Sequence, residues 1–136
     1  YEKQISKIHY KLSNIRLNYI HQCTNKLALL GPQTIIMESI DVSKMIQKEK
    51  KYFREFIIEQ CFFNFICKMK EKCEKYNIEF VQVPEYYPSS KTCSKCGHIK
   101  EVLKRSDRTY ICDKCGLIID RDFNAAINLE KYISFN

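Results

Sequence analysis

Four cysteines in the second half of the chain constrain its fold more than any other feature. They form two Cys-x-x-Cys pairs, Cys93 with Cys96 and Cys112 with Cys115, and 15 residues separate the pairs. Two intervening residues let one tight turn aim both sulfurs at a single tetrahedral ion, and a glycine follows each pair where that turn must reverse. The spacing predicts a zinc ribbon. Four thiolates fill the coordination sphere, so the zinc is expected to be structural.

The other four cysteines do not suggest a disulfide framework, although the total of eight is even. They are scattered through apolar segments, where a free cysteine packs as a small hydrophobic residue: Cys23, Cys61, Cys67 and Cys73. We see no secretion signal and no apolar run long enough to span a membrane. We therefore expect a reducing compartment, either the cytoplasm or the nucleoid or nucleus with DNA, and no membrane partner.

The charge of the chain favours an anionic partner. Its 136 residues carry a formal net charge of +7, which suits nucleic acid, although a solvated lysine-rich surface explains the charge equally well. The segment from residue 91 to residue 108 contains six basic residues and only two acidic ones. We predict phosphate contacts from these six: Lys91, Lys95, Lys100, Lys104, Arg105 and Arg108. Tyr110 is expected to pack against the ribbon rather than stack on a base.

Hydrophobic periodicity indicates an α/β fold. Apolar residues at steps of three and four are typical of amphipathic helices, and short β-branched runs beside Gly or Pro are typical of buried strands. The predicted elements are helices over about 5–30, 52–73 and 122–132 and strands over 34–37 and 78–83. The polar stretch 45–51 is expected to be a loop or a frayed helix start. The order helix, strand, helix, strand favours an α/β layer architecture.

Two carboxylates stand where a catalytic metal site can form. Glu38 ends the first predicted strand, and Asp122 begins the last predicted helix. Metal-dependent phosphodiester cleavage needs carboxylates that converge on Mg²⁺, and side chains at strand ends and helix starts can converge although they are distant in sequence. On pattern alone, a surface acid or a helix N-cap is the commoner role of such residues.

Three blocks of the sequence resemble the C-terminal half of the transposon-encoded TnpB proteins, which are RNA-guided DNA endonucleases related to the type V CRISPR effectors. The blocks are IIMESIDV (Ile35–Val42), PSSKTCSKCG (Pro88–Gly97) with CDKCG (Cys112–Gly116), and RDFNAAINL (Arg121–Leu129). The resemblance covers nearly the whole chain. It implies a partial RNase H-like (RuvC) fold with the zinc ribbon inserted before the last helix.

The same resemblance implies roles for individual residues. Glu38 and Asp122 match two of the catalytic acids that hold Mg²⁺, and Arg121 matches the arginine beside the second of them, which we expect to bind nucleic acid. The four paired cysteines match the ribbon ligands. The implied domains are a nuclease part over 1–88, the ribbon insert over 89–118 and a last nuclease helix over 119–136. The implied partners of the complete protein are DNA and a guide RNA.

Two departures from the family pattern change what we expect of this chain. Glu38-Ser39-Ile40-Asp41 replaces the usual Glu-Asp-Leu-Asn, and no Gly-x-Asp-x-Gly motif supplies the first catalytic aspartate before the first helix. Nothing in the sequence supports Asp41 or Asp120 as a substitute. Because the chain also begins with Tyr1, we expect a piece or a truncated copy that does not cleave DNA alone.

Two other interpretations remain open. A truncated, catalytically inactive chain can keep the ribbon and bind nucleic acid without cutting it. An unrelated zinc-ribbon protein of transcription or translation explains the cysteines and the charge, but not the block RDFNAAINL or the strand that ends in Glu38.

Overall fold

A computed structural model describes residues 1–104 and 106–134, with the backbone alone at 48, 56, 59 and 134. The chain combines helices and strands, as predicted for an α/β protein. In chain order the elements are α1 (Glu2–Leu29), β1 (Thr34–Glu38), α2 (Val42–Lys48), α3 (Lys51–Glu59), α4 (Phe62–Tyr76), β2 (Glu79–Val83), β3 (Thr109–Ile111), β4 (Ile118–Asp120) and α5 (Arg121–Ser134).

Strands β1 and β2 form a two-stranded sheet. At one end the backbone N–H of Glu79 donates to the carbonyl of Gln33 (3.0 Å), and at the other the N–H of Ser39 donates to the carbonyl of Val83 (2.9 Å). The two strands therefore run parallel. Parallel strands need a crossover connection, and α2, α3 and α4 supply it.

Residues 1–35 and 40–81 form one compact unit, here called the helical unit. In it α1 packs against α4 through the C-terminal half of α1, where Ile20, Thr24 and Ala28 are buried. Helix α1 was predicted, but the N-terminal part of its apolar stripe is exposed, including Ile8 at 58%. Within the described residues, no helix is both long and apolar enough to cross a membrane.

The helix predicted over 52–73 is two helices. Helices α3 and α4 are separated at Cys61, whose φ is 54°, in the left-handed region that residues with a Cβ rarely adopt. The segment contains neither Gly nor Pro, so the sequence carries no breaker that marks this point. The polar stretch after residue 41 is helical in α2, and the Asp41 carboxylate caps it by accepting the Lys44 N–H at 3.0 Å.

Residues 36–39 and 82–136 form the second compact unit, here called the ribbon unit. Strands β3 and β4 pair antiparallel in a hairpin, and a single bridge between Thr92 and Ile99 closes a smaller hairpin upstream. The buried centre consists of Tyr110 with Cys93 and Cys112, flanked by the partly buried Leu103, Cys115, Leu117 and Ile119. Both Cys-x-x-Cys pairs and helix α5 therefore belong to one unit.

Candidate functional site

The two Cys-x-x-Cys turns have the same backbone hydrogen bonds. In the first turn the Cys93 N–H donates to the His98 carbonyl (2.8 Å), and the Gly97 N–H donates to the Cys93 carbonyl (2.9 Å). The second turn repeats both bonds, from Cys112 at 2.9 Å and from Gly116 at 3.0 Å. Gly116 has a φ of 68°, which glycine adopts without a Cβ clash. His98 thus supports the first turn through its backbone, outside the cysteine cluster.

The four sulfurs of these turns converge on one point. All four lie within 4.8 Å of one another, with Cys93 to Cys115 and Cys96 to Cys112 both at 3.6 Å. A tetrahedral ion with Zn–S bonds of about 2.3 Å needs sulfurs about 3.8 Å apart, whereas a disulfide needs about 2.05 Å. None of the four clustered cysteines forms a disulfide. The cluster can hold a metal ion, and its spacing fits a four-thiolate site.

The thiols differ in how readily they ionise. The pKa of Cys112 is lowered to about 6, chiefly because the backbone N–H of Cys115 donates to its sulfur. The Leu117 N–H favours the Cys115 thiolate, but burial and the adjacent cysteine sulfurs outweigh it and raise the pKa of Cys115 to about 12. Four thiolates this close repel one another, so a bound cation is what permits all of them to be deprotonated together.

Tyr110 packs against the cluster, as predicted. Its side chain is fully buried beside Cys93 and Cys112, and its hydroxyl donates to the Lys91 carbonyl at 3.1 Å. Burial first, and then the adjacent thiols, raise the pKa of Tyr110 to about 12. The ring is therefore part of the ribbon core and has no free face for a base.

Two asparagines of α5 fasten that helix to the first turn. Asn124 donates to the Thr92 carbonyl (2.7 Å) and accepts the Ser94 N–H (3.0 Å), while Asn128 donates to the carbonyls of Ser89 (2.8 Å) and Thr92 (2.7 Å). Both asparagines are buried. Sequence reasoning assigned them no role. The available signal was two amides four residues apart, on one face of a helix, beside apolar positions.

The two predicted catalytic acids are exposed in the ribbon unit. The Glu38 carboxylate accepts a hydrogen bond from the Ser89 hydroxyl. The Asp122 side chain is 72% exposed and accepts from the Arg121 guanidinium at 3.2 Å. Asp120 is the residue that caps α5, since its carboxylate accepts the Asp122 N–H at 2.9 Å. The capping role considered for Asp122 is therefore filled by another residue, which leaves the Asp122 carboxylate facing solvent.

Asp41 and Asp120, which the sequence did not support as substitutes for the missing first catalytic aspartate, both serve as helix caps. The backbone N–H of Lys44 donates to Asp41 and holds the pKa of that carboxyl below its ordinary value. Neither residue joins a cluster of metal ligands: among the described residues, the four paired cysteines are the group of three or more that the structure brings together.

The predicted nucleic-acid-binding residues divide by their surroundings. The Lys100 ammonium binds the Asp113 carboxylate at 3.0 Å, and the Lys91 ammonium donates to a backbone carbonyl at 3.0 Å. Three others are exposed, and their charged groups make no hydrogen bond or ion pair among the described residues: Lys95, Lys104 and Arg108. Arg105 lies outside the described residues. Arg121 is mostly covered, at 20% exposure, beside Asp122.

The sequence matches a known family model, the one described as Cas12f1-like, TNB domain, over residues 62–129. That match spans half of the chain and includes the ribbon and most of α5.

Curated relatives match over most of this chain. A protein of Streptomyces pristinaespiralis named as a putative RNA-guided DNA endonuclease is 28% identical over 127 residues, covering 93% of this chain and 31% of the relative. The TnpB-like protein L79 of Acanthamoeba polyphaga mimivirus is 33% identical over 129 residues, covering 94% and 22%. The CRISPR-associated DNA-binding protein Cas12m of Thermanaerosceptrum fracticalcis is 29% identical over 110 residues, covering 71% and 18%. The chain thus spans less than a third of these relatives.

Solved structures show the same likeness in three dimensions. A Cas12f1–sgRNA–target DNA complex superposes with a TM-score of 0.73 at 27% identity, covering 94% of this chain and 37% of that one. A CRISPR-Cas12f ternary complex gives 0.71 at 27% identity, covering 92% and 26%.

Proposed function

The chain belongs to the Cas12f1-like, TNB domain family, and we propose that it acts as the C-terminal part of an RNA-guided, Mg²⁺-dependent DNA endonuclease of the TnpB type. The resemblance to TnpB proteins expected from the sequence is confirmed by relatives with that name. One observation carries the proposal: Glu38 and Asp122 lie in the same compact unit as the ribbon, both exposed, while Asp120 performs the capping.

Two different metals are proposed for two different donor sets. Glu38 and Asp122 offer carboxylate oxygens, the ligands that Mg²⁺ prefers, whereas the ribbon cysteines offer sulfur, which suits Zn²⁺. When bound, Mg²⁺ activates the attacking water and stabilises the leaving oxygen of a phosphodiester. Glu38 and Asp122 would hold that ion, and Arg121 keeps a positive charge beside Asp122. Zinc stabilises the ribbon without taking part in the reaction.

The fold and the domain division complete the proposal. Parallel strands β1 and β2, with Glu38 at the end of β1, fit one edge of an RNase H-like (RuvC) sheet. We propose 1–88 as nuclease, 89–118 as ribbon insert and 119–136 as the last nuclease helix. DNA is the proposed substrate and a guide RNA the proposed partner. Exposed Lys95, Lys104 and Arg108 are the ribbon residues best placed for phosphate contacts.

A chimera tests the nuclease assignment. The matched segment of the Streptomyces relative is replaced by this chain, and guided cleavage of a target plasmid is measured in Mg²⁺ beside the unaltered relative. We expect cleavage by the chimera and a loss of at least about a thousandfold in Glu38→Ala and Asp122→Ala, since each removes a metal ligand. Glu130→Ala, an exposed acid on the same helix as Asp122, is the matched control. Cleavage that persists in either ligand variant contradicts the assignment.

A second candidate function is nucleic-acid binding without cleavage. It is favoured by the relative whose name describes a DNA-binding protein, Cas12m. In this case the chimera does not cleave while the relative does, and the chain alone binds DNA with a strong dependence on salt. Replacing Lys95, Lys104 and Arg108 by alanine is then expected to reduce the slope of log affinity against log salt by about 0.9 for each lost phosphate contact with duplex DNA.

A further inference from the structure

We infer that Ser89 is a positioning residue for Glu38, and that α5 holds Ser89 in place, so that the helix bearing Asp122 also sets the direction of the Glu38 carboxylate. The inference rests on the proposed function, because it concerns the ligands of the proposed Mg²⁺ site. It assigns a role to a serine and an asparagine that carry no charge and bind no metal themselves.

Ser89 is built as a support for another side chain. It is 3% exposed, although serine is ordinarily found at the surface. Its N–H donates to the Tyr87 carbonyl at 2.8 Å, and its hydroxyl donates to the Glu38 carboxylate. Each polar atom of this buried residue therefore has a partner, and the partner of its one rotatable donor is the predicted metal ligand. The neighbouring Ser90 is half-buried and has no described hydrogen bond.

Helix α5 fixes the backbone of Ser89. Asn128 is also 3% exposed, and its amide donates to the Ser89 carbonyl at 2.8 Å. Tyr87 adds a second tie, since its hydroxyl donates to the Asn128 carbonyl at 3.0 Å. A continuous path of hydrogen bonds therefore runs from the Glu38 carboxylate through Ser89 to Asn128. Asp122 lies six residues before Asn128 on the same helix.

The consequence for metal binding is pre-organisation. The Glu38 carboxylate is exposed at a strand end, where an unsupported glutamate samples many rotamers and loses that freedom when it binds an ion. A hydrogen bond from Ser89 restricts it beforehand while leaving its second oxygen for the metal. Partners of this kind typically contribute 10- to 100-fold to metal affinity. The ribbon, α5 and Glu38 are thus joined by hydrogen bonds, and the one that the Glu38 carboxylate accepts is charge-assisted.

Manganese titration tests the inference with the chain as it exists. The zinc-loaded chain is titrated with Mn²⁺, a paramagnetic substitute for Mg²⁺, and affinity is measured from the broadening of NMR signals. We expect Ser89→Ala to weaken Mn²⁺ binding by about 10-fold. Ser90→Ala, the adjacent matched control, is expected to leave the affinity unchanged. The absorption spectrum of Co²⁺ bound to the cysteines shows whether each variant keeps its ribbon.

Variants of the two proposed Mg²⁺ ligands distinguish failure of the proposed function from failure of the inference about Ser89. If Glu38→Ala and Asp122→Ala bind Mn²⁺ as well as the unaltered chain, the proposed function fails. If they lose binding but Ser89→Ala keeps it, the function stands and the inference is wrong. Should Ser89→Ala disturb the Co²⁺ spectrum, exchange of the Ser89 hydroxyl proton is measured in the unaltered chain. Slow exchange supports the hydrogen bond to Glu38, and exchange as fast as that of Ser90 overturns it.

Discussion

The helical unit and the ribbon unit are stabilised by different kinds of contact. In the helical unit the buried side chains are mostly apolar and come from the packing of α1 on α4: Ile20, Ala28, Ile66, Met69 and Cys73. In the ribbon unit they include thiols, a tyrosine with a bonded hydroxyl, and polar side chains: Cys93, Cys112, Tyr110, Ser89, Asn124 and Asn128. Apolar burial is non-directional, whereas metal ligands and buried hydrogen bonds need particular atoms at particular places.

This difference explains which parts of the sequence are informative about function. Many buried residues of the helical unit can be exchanged for others of similar volume, so its sequence contains fewer recognisable motifs, although the family match begins within it at residue 62. The ribbon unit contains PSSKTCSKCG and RDFNAAINL, in which single residues such as Ser89 and Asn128 have specified partners. A motif is recognisable where the structure depends on directional contacts.

Loss of a predicted cysteine ligand should produce the largest difference in stability between the two units. We expect Cys112→Ser to abolish stoichiometric zinc binding, because structural zinc sites contribute about 10–16 kcal/mol in zinc-finger peptides. The NMR signals of β3 and β4 should collapse, and those of α1 and α4 should persist, since no ligand lies in their shared core. Zinc content and a two-dimensional NMR spectrum provide the measurement.

Cys67→Ser on α4 is the control for that experiment, being a half-buried free cysteine outside the cluster. It should keep its zinc. Equal loss of zinc from both variants would show that the ligand set is not the four paired cysteines.

A cavity in the helical unit should destabilise that unit and leave the ribbon unit intact. Met69 is completely buried, and Met69→Ala is expected to lower the free energy of unfolding of that unit by about 2–5 kcal/mol, because the neighbouring side chains do not fill the space. Urea unfolding followed by helical circular dichroism measures the loss, and zinc content should not change. Ile8→Ala removes an exposed side chain of α1 and is the control. If it costs as much as Met69→Ala, the α1 stripe is buried in solution.

The sequence predicted the elements whose signals are local. Cysteine spacing predicted the turn pairs that the structure brings together, and a 3.6-residue period predicted α1. It did not predict the break at Cys61, because no Gly or Pro marks it, nor the exposure of Ile8, because periodicity records amphipathicity and not what covers the apolar face. The metal identities and the catalytic roles of Glu38 and Asp122 stay predictions.

Other features depended on hydrogen-bond partners that the sequence does not specify. Asp120 and Asp122 both stand at the start of α5, and a helix boundary known from sequence to within one or two residues cannot say which one caps it. The partners of Asn124 and Asn128 lie at least 30 residues earlier, so no local pattern identifies them. The sequence therefore predicted the cysteine cluster but not the hydrogen bonds that fix the turns beside it.

Removal of one buried amide should weaken the ribbon unit without unfolding it. Asn128→Ala leaves the Ser89 carbonyl without its side-chain donor, while Asn124 still donates to Thr92. We expect a loss of about 1–3 kcal/mol, the usual cost of an unsatisfied buried group. Hydrogen exchange of the β3 and β4 amides in the zinc-loaded chain measures it. Asn14→Ala on the exposed face of α1 should have no effect, and a matching loss there would refute a specific role for Asn128.

The smallest expected effect comes from placing alanine at a left-handed glycine, and the same substitution can be made in both units. Gly31 and Gly116 have nearly equal φ values, 66° and 68°, and an added Cβ meets no atom within 4 Å at either position. Alanine therefore costs only the left-handed conformation, about 1 kcal/mol net of the entropy it removes from the unfolded chain. In Gly116→Ala that cost should weaken metal affinity about fivefold, since folding of the ribbon and metal binding are coupled. In Gly31→Ala it should lower the urea midpoint of the helical unit at unchanged metal affinity. A change in metal affinity in both variants would show that the helical unit, too, derives its stability from the metal.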